Sequence, residues 1–255
     1  MKMKVKTLAC LCALVAIPAF GTEAVTSANT FGVLKVTCSA QKVIIATPWV
    51  ECLTAGNVKV TDLVMTDNLA EGDAIIVYAG NNQFKSWRLN GSKQWSSVAV
   101  TGAGGTVTGG AAADAAIARG KAFWFVKVSY SEPYDLYLYG QDTSATATST
   151  VVAGTPTTPA YSLVASPKTT AADLNSGVSF FTPNAPNAAD EIRLPRTNLP
   201  DLAFTYQDGQ WGTKTNKVEI GTTGRYRTEW VAGCTIPAGT GFWYVSKGGS
   251  GTITW

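Results

Sequence analysis

Two stretches of the chain that lie 119 residues apart carry nearly the same sequence. IARGKAFWFVK spans residues 117–127, and IPAGTGFWYVS spans residues 236–246. A second match has the same spacing, because IIATP at residues 44–48 aligns with LVASP at residues 163–167. Matches at one spacing near both ends of a unit indicate an internal duplication. We therefore expect two similar modules, in which the following pairs occupy equal places: Phe123 and Phe242, Trp124 and Trp243, Pro48 and Pro167.

The segments between these matches keep their order but not their register. VYAGNNQF at residues 77–84 aligns with TYQDGQW at residues 205–211, Trp95 aligns with Trp230, and the small-residue stretch at residues 101–116 is an insertion in the first copy. Strand-forming residues come in short runs, and 25 Gly and 11 Pro interrupt them. This pattern predicts an all-β protein with two homologous β-sandwich or barrel-like modules in tandem.

The repeated aromatic stretch is apolar on both faces of the strand that it should form. In GFWYVS, Phe242 and Tyr244 alternate with Trp243 and Val245. A strand of this kind requires cover on both sides. We therefore expect the repeated Phe-Trp pairs to be core residues.

The N-terminus has the features of a signal peptide. Lys2, Lys4 and Lys6 precede the apolar segment LACLCALVAIPAF, and small residues follow it, so we expect cleavage after Ala24, or alternatively at Gly21. We divide the chain into a signal peptide (1–24), a first module (25–140), a Thr/Ser/Pro-rich linker (141–160) and a second module (161–255). Within the linker, STVVAG has the alternative of forming an edge strand. No later segment predicts a membrane span after cleavage.

Charge and residue inventory exclude several classes of function. The chain has 20 Lys and Arg against 17 Asp and Glu; removal of three Lys and one Glu with residues 1–24 leaves 17 against 16. Nucleic acid is therefore not an expected partner, because phosphate binding needs a basic surface. The chain contains no His, which excludes Ser-His-Asp and Cys-His catalysis and imidazole metal ligands. We expect no metal, no cofactor and no enzymatic activity.

A family resemblance follows from three motifs. An early strand ends in Pro, GDAIIVY at residues 72–78 fits a GD-x-I-x-x-Y strand, and PAGTGFW at residues 237–243 fits a P-x-G-x-G-F-W strand. This pattern resembles that of secreted bacterial tandem β-module proteins of unknown function. The resemblance implies export and a β fold, and carries over no catalytic or binding residue. The first copy departs from the pattern at Ala118, Arg119 and Ala122.

Four aromatic residues near hairpin turns are the candidate ligand-binding residues: Trp87, Trp95, Tyr206 and Trp211. Exposed flat rings of this kind stack on sugars, while neighbouring polar side chains bond the hydroxyl groups. The alternative is that they fill the cores of small β modules.

Two groups of carboxylates suggest a glycoside hydrolase, which needs two acidic residues and no His. Asp67, Glu71 and Asp73 form one group, and Asp190 and Glu191 form the other. The favoured interpretation is solvated loop charges or a loop calcium site, although the spacing lacks the regular pattern of a calcium loop.

Three cysteines remain after signal cleavage: Cys38, Cys52 and Cys234. If KVIIATP forms a strand beside VLKVTC, Cys38 and Cys52 come close enough for a disulfide. The alternative is three buried thiols. Cys234 should stay free or link two chains.

Together these features predict an exported, non-enzymatic structural or adhesive protein of the cell surface or extracellular matrix. Its expected partners are itself, through exposed strand edges, or other surface proteins. The alternative is a carbohydrate-binding protein that uses the hairpin aromatics, with glycans as its ligands.

Overall fold

The structure, a computed structural model, describes residues 30–47, 58–80, 83–102, 105–111, 115–142, 147–180, 186, 189–196, 199–219 and 226–255. The signal peptide, Pro48 and Cys52 lie outside these residues. Within them, regular structure is almost entirely β-strand, and the helix α1 (Val60–Leu63) is a single turn. The predicted all-β class is confirmed. None of the sheets in the described residues closes on itself, and no helix among those residues has the length and apolar character needed to cross a membrane.

Eleven strands lie in the described part of residues 30–142, which we call the first half: β1 (Thr30–Cys38), β2 (Lys42–Ala46), β3 (Val58–Lys59), β4 (Ala74–Gly80), β5 (Gln83–Leu89), β6 (Trp95–Ser97), β7 (Val100–Gly102), β8 (Gly105–Gly109), β9 (Ala116–Ile117), β10 (Ala122–Val126) and β11 (Tyr134–Asp142).

Eleven more lie in the described part of residues 147–255, the second half: β12 (Thr148–Val151), β13 (Ala160–Ala165), β14 (Ala172–Asp173), β15 (Ser179–Phe180), β16 (Glu191–Arg196), β17 (Leu199–Gln207), β18 (Gln210–Glu219), β19 (Tyr226–Ala232), β20 (Thr235–Ile236), β21 (Gly241–Ser246) and β22 (Gly251–Thr254).

Each half has one large sheet and two small ones. The large sheets have the orders β2-β10-β4-β5-β8-β7, with β6 also on β5, and β13-β21-β16-β17-β18-β19. The small sheets of the first half are β1-β11 and β3-β9, and those of the second half are β12-β22-β15 and β14-β20. The aromatic strands β10 and β21 thus take the same position, one strand in from the edge.

The register around the two aromatic strands is also the same. Trp124 lies opposite Ile44 on β2, and Trp243 lies opposite Leu163 on β13. Trp124 and Trp243 are 119 residues apart, and so are Ile44 and Leu163. Ile117 of β9 and Ile236 of β20 have the same separation and lie in the small sheets β3-β9 and β14-β20. This common register agrees with the expectation that the two Phe-Trp pairs occupy equal places.

Farther from the aromatic strands, the strand order of the two halves does not follow the sequence alignment. On the side of β10 away from β2 the neighbouring strand is β4, whereas on the side of β21 away from β13 the neighbouring strand is β16. TYQDGQW, which was aligned with the β4–β5 hairpin, instead forms the next hairpin, β17–β18. Its Asp208 and Gly209 both have positive φ (52° and 82°), as a two-residue hairpin turn requires. Similar turn chemistry recurs in both hairpins, so local sequence could not distinguish them.

The predicted pairing of the first two strands was also wrong. β1 pairs with β11 over nine residues, whereas β2 pairs with β10 in the large sheet. In the segment expected to be a linker, β12 pairs with β22 as an edge strand. Its alternation explains this, because Ser149 and Val151 are buried while Thr148 and Thr150 face outward.

Buried side chains fill the space between the large sheet and the smaller elements of each half. Phe123 and Phe125 belong to the first core, and Phe242 and Tyr244 belong to the second. The opposite face of β10 places Trp124 in a third cluster, which lies between the halves. The prediction that the aromatic strand is covered on both faces is confirmed for β10.

The contact between the halves is reciprocal, and we call it the junction. The Ala46 N–H donates to the Gly239 carbonyl oxygen (2.9 Å), and the Ala165 N–H donates to the Gly120 carbonyl oxygen (3.0 Å). The two donor residues are 119 residues apart in the sequence, and so are the two acceptor residues. Trp124 and Trp243 meet there with ring centroids 5.5 Å apart. The junction therefore has the pairwise exchange of contacts that is typical of a two-fold symmetric dimer interface.

Candidate functional site

Two of the four predicted ligand-binding aromatics are buried in the cores. Trp87 packs in the first core and Trp211 in the second. Their strands β5 and β18 belong to the large sheets, and the side-chain alternation of those strands turns both rings inward. Neither ring offers an open face for stacking, so the interpretation of these two residues as sugar platforms is corrected to core packing.

Trp95 and Tyr206 are half-buried against the same two cores. Trp95 and Trp87 are among the residues that line a cleft of about 620 Å³ in the first half, together with Asp62 and Lys93. Tyr206 packs on Trp211 with ring centroids 5.2 Å apart. The four candidates therefore do not form one surface, because two lie in each half.

Two of the candidate carboxylates bind the backbone at matching places. The Val128 N–H donates to Oδ1 of Asp73 (2.9 Å), and the Lys247 N–H donates to Oδ1 of Asp190 (2.7 Å). Both acidic residues are fully buried and immediately precede β4 and β16. Each carboxylate thus ties the start of one strand to the chain leaving the neighbouring aromatic strand.

The remaining oxygens of these carboxylates are also occupied. Oδ2 of Asp73 accepts hydrogen bonds from the Ala70 N–H (2.9 Å) and from Lys127 Nζ (2.7 Å). Oδ2 of Asp190 accepts a hydrogen bond from the Tyr244 hydroxyl (2.7 Å). Burial, and then this bond to Asp190, raise the pKa of Tyr244, so the phenol stays protonated. These contacts favour a structural role over acid–base chemistry.

Glu191 is part of a three-charge network at the start of β16. Its Oε2 accepts two hydrogen bonds from Arg193, from Nε (2.9 Å) and Nη2 (2.7 Å), and its Oε1 contacts Lys247 Nζ. Burial alone would raise the pKa of Glu191, but the hydrogen bonds from Lys247 and Arg193 outweigh it and lower the pKa. Glu191 therefore stays ionised and holds the Arg193 guanidinium in place. Asp67 and Glu71, the other candidates, are exposed.

Cys38 and Cys234 are buried free thiols. Burial raises the pKa of Cys38 to about 11 and that of Cys234 to about 12. Because β1 and β2 lie in different sheets, the strand pairing that suggested a Cys38–Cys52 disulfide does not occur. Cys52 lies outside the described residues, and Cys38, its expected disulfide partner, is a free thiol in this structure.

A cluster of aromatic rings at the junction forms the candidate binding site. A cavity of about 290 Å³, which we call the junction cleft, is lined by residues of both halves: Tyr78, Phe84, Tyr161, Arg193, Asp201 and Trp243. A second cavity of about 800 Å³ shares Tyr78 and Tyr161 with it and extends to Thr150 and Pro159. The two cavities thus adjoin along these tyrosines.

The rings of the junction cleft support one another. Tyr161 stands perpendicular to Trp243, with an interplanar angle of 88° and centroids 6.1 Å apart. Trp243 also packs on Trp124 and on Tyr78, whose centroids lie 5.5 and 6.3 Å away. Tyr161 is 47% exposed. Trp243, whose position is fixed by the neighbouring rings, and the partly exposed Tyr161 therefore form a preorganised aromatic corner at the surface.

Charged groups border this corner on one side. Arg193 lies directly opposite Trp243 in the β16–β21 pairing, so both side chains lie on the same face of the sheet. Glu191 uses the Nε and one Nη of Arg193, which leaves N–H groups of the guanidinium for another acceptor. The exposed Asp201 carboxylate supplies an acceptor in the same cleft.

None of the residues of the junction cleft is among the binding candidates that the sequence suggested. Tyr78 and Phe84 lie in a hairpin that it singled out, and Trp243 lies in the repeated motif, but these features predicted strands and cores. The available signal was alternation, because Tyr78 lies on the opposite face of β4 from the core residues Ile75 and Val77.

The described residues contain no group of three or more metal-binding carboxylates or thiols. Comparisons of the chain with protein-family models, curated proteins and solved structures gave no match.

Proposed function

We propose that this chain is an exported, non-enzymatic adhesive or structural protein of the cell surface or extracellular matrix. Its N-terminal sequence supports export, and its repeated motifs support a secreted β-module architecture. The structure supports the non-enzymatic part of the proposal, because the buried carboxylates Asp73 and Asp190 are bound to backbone amides at matching positions.

The two halves arose, in this proposal, by tandem duplication of one β module. The matching order of four strands in each large sheet (β2-β10-β4-β5 and β13-β21-β16-β17), the common register around β10 and β21, and the equivalent aspartate contacts all support this origin. Unrelated segments would have no reason to repeat buried hydrogen bonds as well as strand order.

The single observation that carries the structural role is the reciprocal junction. Backbone hydrogen bonds in both directions and a shared aromatic cluster join the halves more firmly than a flexible linker would. A two-module body with a rigid junction can transmit force between its ends, as an adhesive or matrix component must. An outer strand such as β19, whose Val231 is 49% exposed, offers an edge for self-association.

Cell fractionation with N-terminal sequencing of the mature protein tests this proposal in the native host. We expect the protein in the surface or matrix fraction, beginning at residue 25, and reduced attachment of cells that lack the gene. A protein that stays inside the cell with residues 1–24 intact contradicts the proposal, as does normal attachment of the deletion strain. Sedimentation of the purified protein over a range of concentrations tests self-association separately.

A further inference from the structure

The junction cleft lies where the second half departs from the first. In the first half, Trp124 has Ile76 opposite it on β4, while Lys42 lies over its ring at 5.2 Å. In the second half, Trp243 has Arg193 at the place of Ile76 and Tyr161 at the place of Lys42.

The next strand shows the same kind of replacement. Phe84 stands two residues before Ser86, the partner of Ile76 on β5. Asp201 stands two residues before Ala203, the partner of Arg193 on β17. By this count Asp201 takes the place of Phe84, so the second half replaces two apolar side chains with an acceptor and a donor. Departures from a shared structural pattern concentrate at functional sites.

The chemistry of the cleft fits a sugar better than other ligands. A pyranose ring has an apolar C–H face, which stacks on an aromatic ring, and a rim of hydroxyl groups that both donate and accept hydrogen bonds. Arg193 supplies donors, and the Asp201 carboxylate supplies acceptors. The corner formed by Tyr161 and Trp243 supplies the apolar surface. An acyl chain would offer no polar partner to the Asp201 carboxylate or to the guanidinium N–H groups of Arg193 that Glu191 does not use.

The charge balance of the cleft favours a neutral sugar. Arg193 is bound by Glu191, which also contacts Lys247, and Asp201 adds a further negative charge. These four side chains sum to zero, so the cleft has no excess positive charge for a carboxylated or sulfated glycan. The adjoining cavity beyond Tyr161 offers space for further residues of a chain.

We propose that the junction cleft binds a neutral glycan chain, with one pyranose stacked in the corner of Tyr161 and Trp243 and its hydroxyls bonded by Arg193 and Asp201. The glycan would be the ligand of the adhesive role, and the inference rests on that proposed function for its biological setting. Binding by purified protein does not depend on export, so the two proposals fail separately.

Glycan-array screening of the purified full chain is the first test, followed by titration calorimetry with two neutral probes, cellohexaose and chitohexaose. We expect at least one neutral array glycan to be retained. Tyr161→Ala should weaken that binding about tenfold or more, since truncating an interface tyrosine typically removes a large share of the binding energy. Tyr161→Phe keeps the ring and should stay within about threefold of the wild type.

Two further variants complete the test. Asp201→Asn should weaken binding without changing the urea midpoint of unfolding, because this exposed carboxylate lies at the surface. Tyr130→Ala is the matched control, since it truncates a partly exposed tyrosine that lines neither cavity. Retention of no neutral glycan, exclusive retention of acidic glycans, or equal affinities of the Tyr161→Ala and wild-type proteins would each overturn the proposal.

Discussion

Close packing at the junction surrounds Gly241, and adding one methyl group there tests whether the halves meet as described. A Cβ at Gly241 would lie 2.5 Å from the Ala122 Cβ and 2.5 Å from the Ile44 Cγ2, both in the first half. The Ala122 Cβ is bonded directly to the backbone of β10, and the Ile44 Cγ2 is bonded to the Cβ that branches from the backbone of β2. Neither can move far without displacing a strand.

The expected cost of Gly241→Ala follows from this geometry. Ordinary carbon–carbon contacts need about 3.5 Å or more, so the halves would have to separate by about 1 Å. Overpacking of this kind costs about 1–3 kcal/mol. The separation would also stretch the two reciprocal backbone hydrogen bonds of the junction, each with a net value of about 1 kcal/mol. We therefore expect a loss of about 2–4 kcal/mol in the free energy of unfolding.

Urea denaturation followed by tryptophan fluorescence measures this loss, because Trp124 and Trp243 meet at the junction. Gly91→Ala is the control: its Cβ would meet only the mobile end of Glu71, and the change should stay within about 0.5 kcal/mol. Adding Ala122→Gly to Gly241→Ala removes one of the two clashes and should restore part of the stability. A Gly241→Ala protein as stable as the control would refute the packing of the halves.

Four further predictions concern the cores and the charged contacts. Phe242→Ala should lower the free energy of unfolding by about 3–5 kcal/mol, since this ring is fully buried, and thermal and urea denaturation measure it. Asp73→Ala should cost about 3–5 kcal/mol in the same assay because it leaves the Lys127 ammonium, which is 14% exposed, without its partner. Because the pKa of Glu191 is lower in the folded protein than its ordinary value of 4.5, ionised Glu191 stabilises the fold above pH 4.5. This stability is lost as the pH falls through the folded pKa. The stability advantage of the wild type over Glu191→Gln should therefore shrink below pH 4.5. The raised pKa values keep the thiols of Cys38 and Cys234 protonated, so iodoacetamide at pH 8 should label both in urea and neither in the folded protein, as judged by peptide mass spectrometry.

Several features of the fold follow from local sequence. The alternation in the repeated aromatic stretch predicted burial on both faces, and the structure places Phe123 in one core and Trp124 in another. The turn residues Asp208 and Gly209 predicted a hairpin that the structure contains. These inferences succeed because side-chain direction in a strand and turn geometry depend on a few neighbouring residues.

The aromatic binding candidates show where local sequence was insufficient. A tryptophan near a hairpin turn can face a core or solvent, and Trp211 turned out to be buried while Tyr161, the second residue of β13, is exposed. Similarly, β1 and β2 follow each other in the chain but pair with different strands. The pairing of strands and the packing of sheet faces depend on many contacts between residues that are distant in sequence. No single segment contains that information.

The sequence by itself determined that this chain is rich in strands, that one aromatic strand is repeated after 119 residues, and that this strand is buried. The tertiary structure decided that the two halves face each other across a reciprocal junction and that Tyr161, Arg193 and Trp243 meet in one cleft. Periodicity specifies which side chains share a face of a strand. Only the packing of one sheet against another brings two such faces together and leaves a cavity between them.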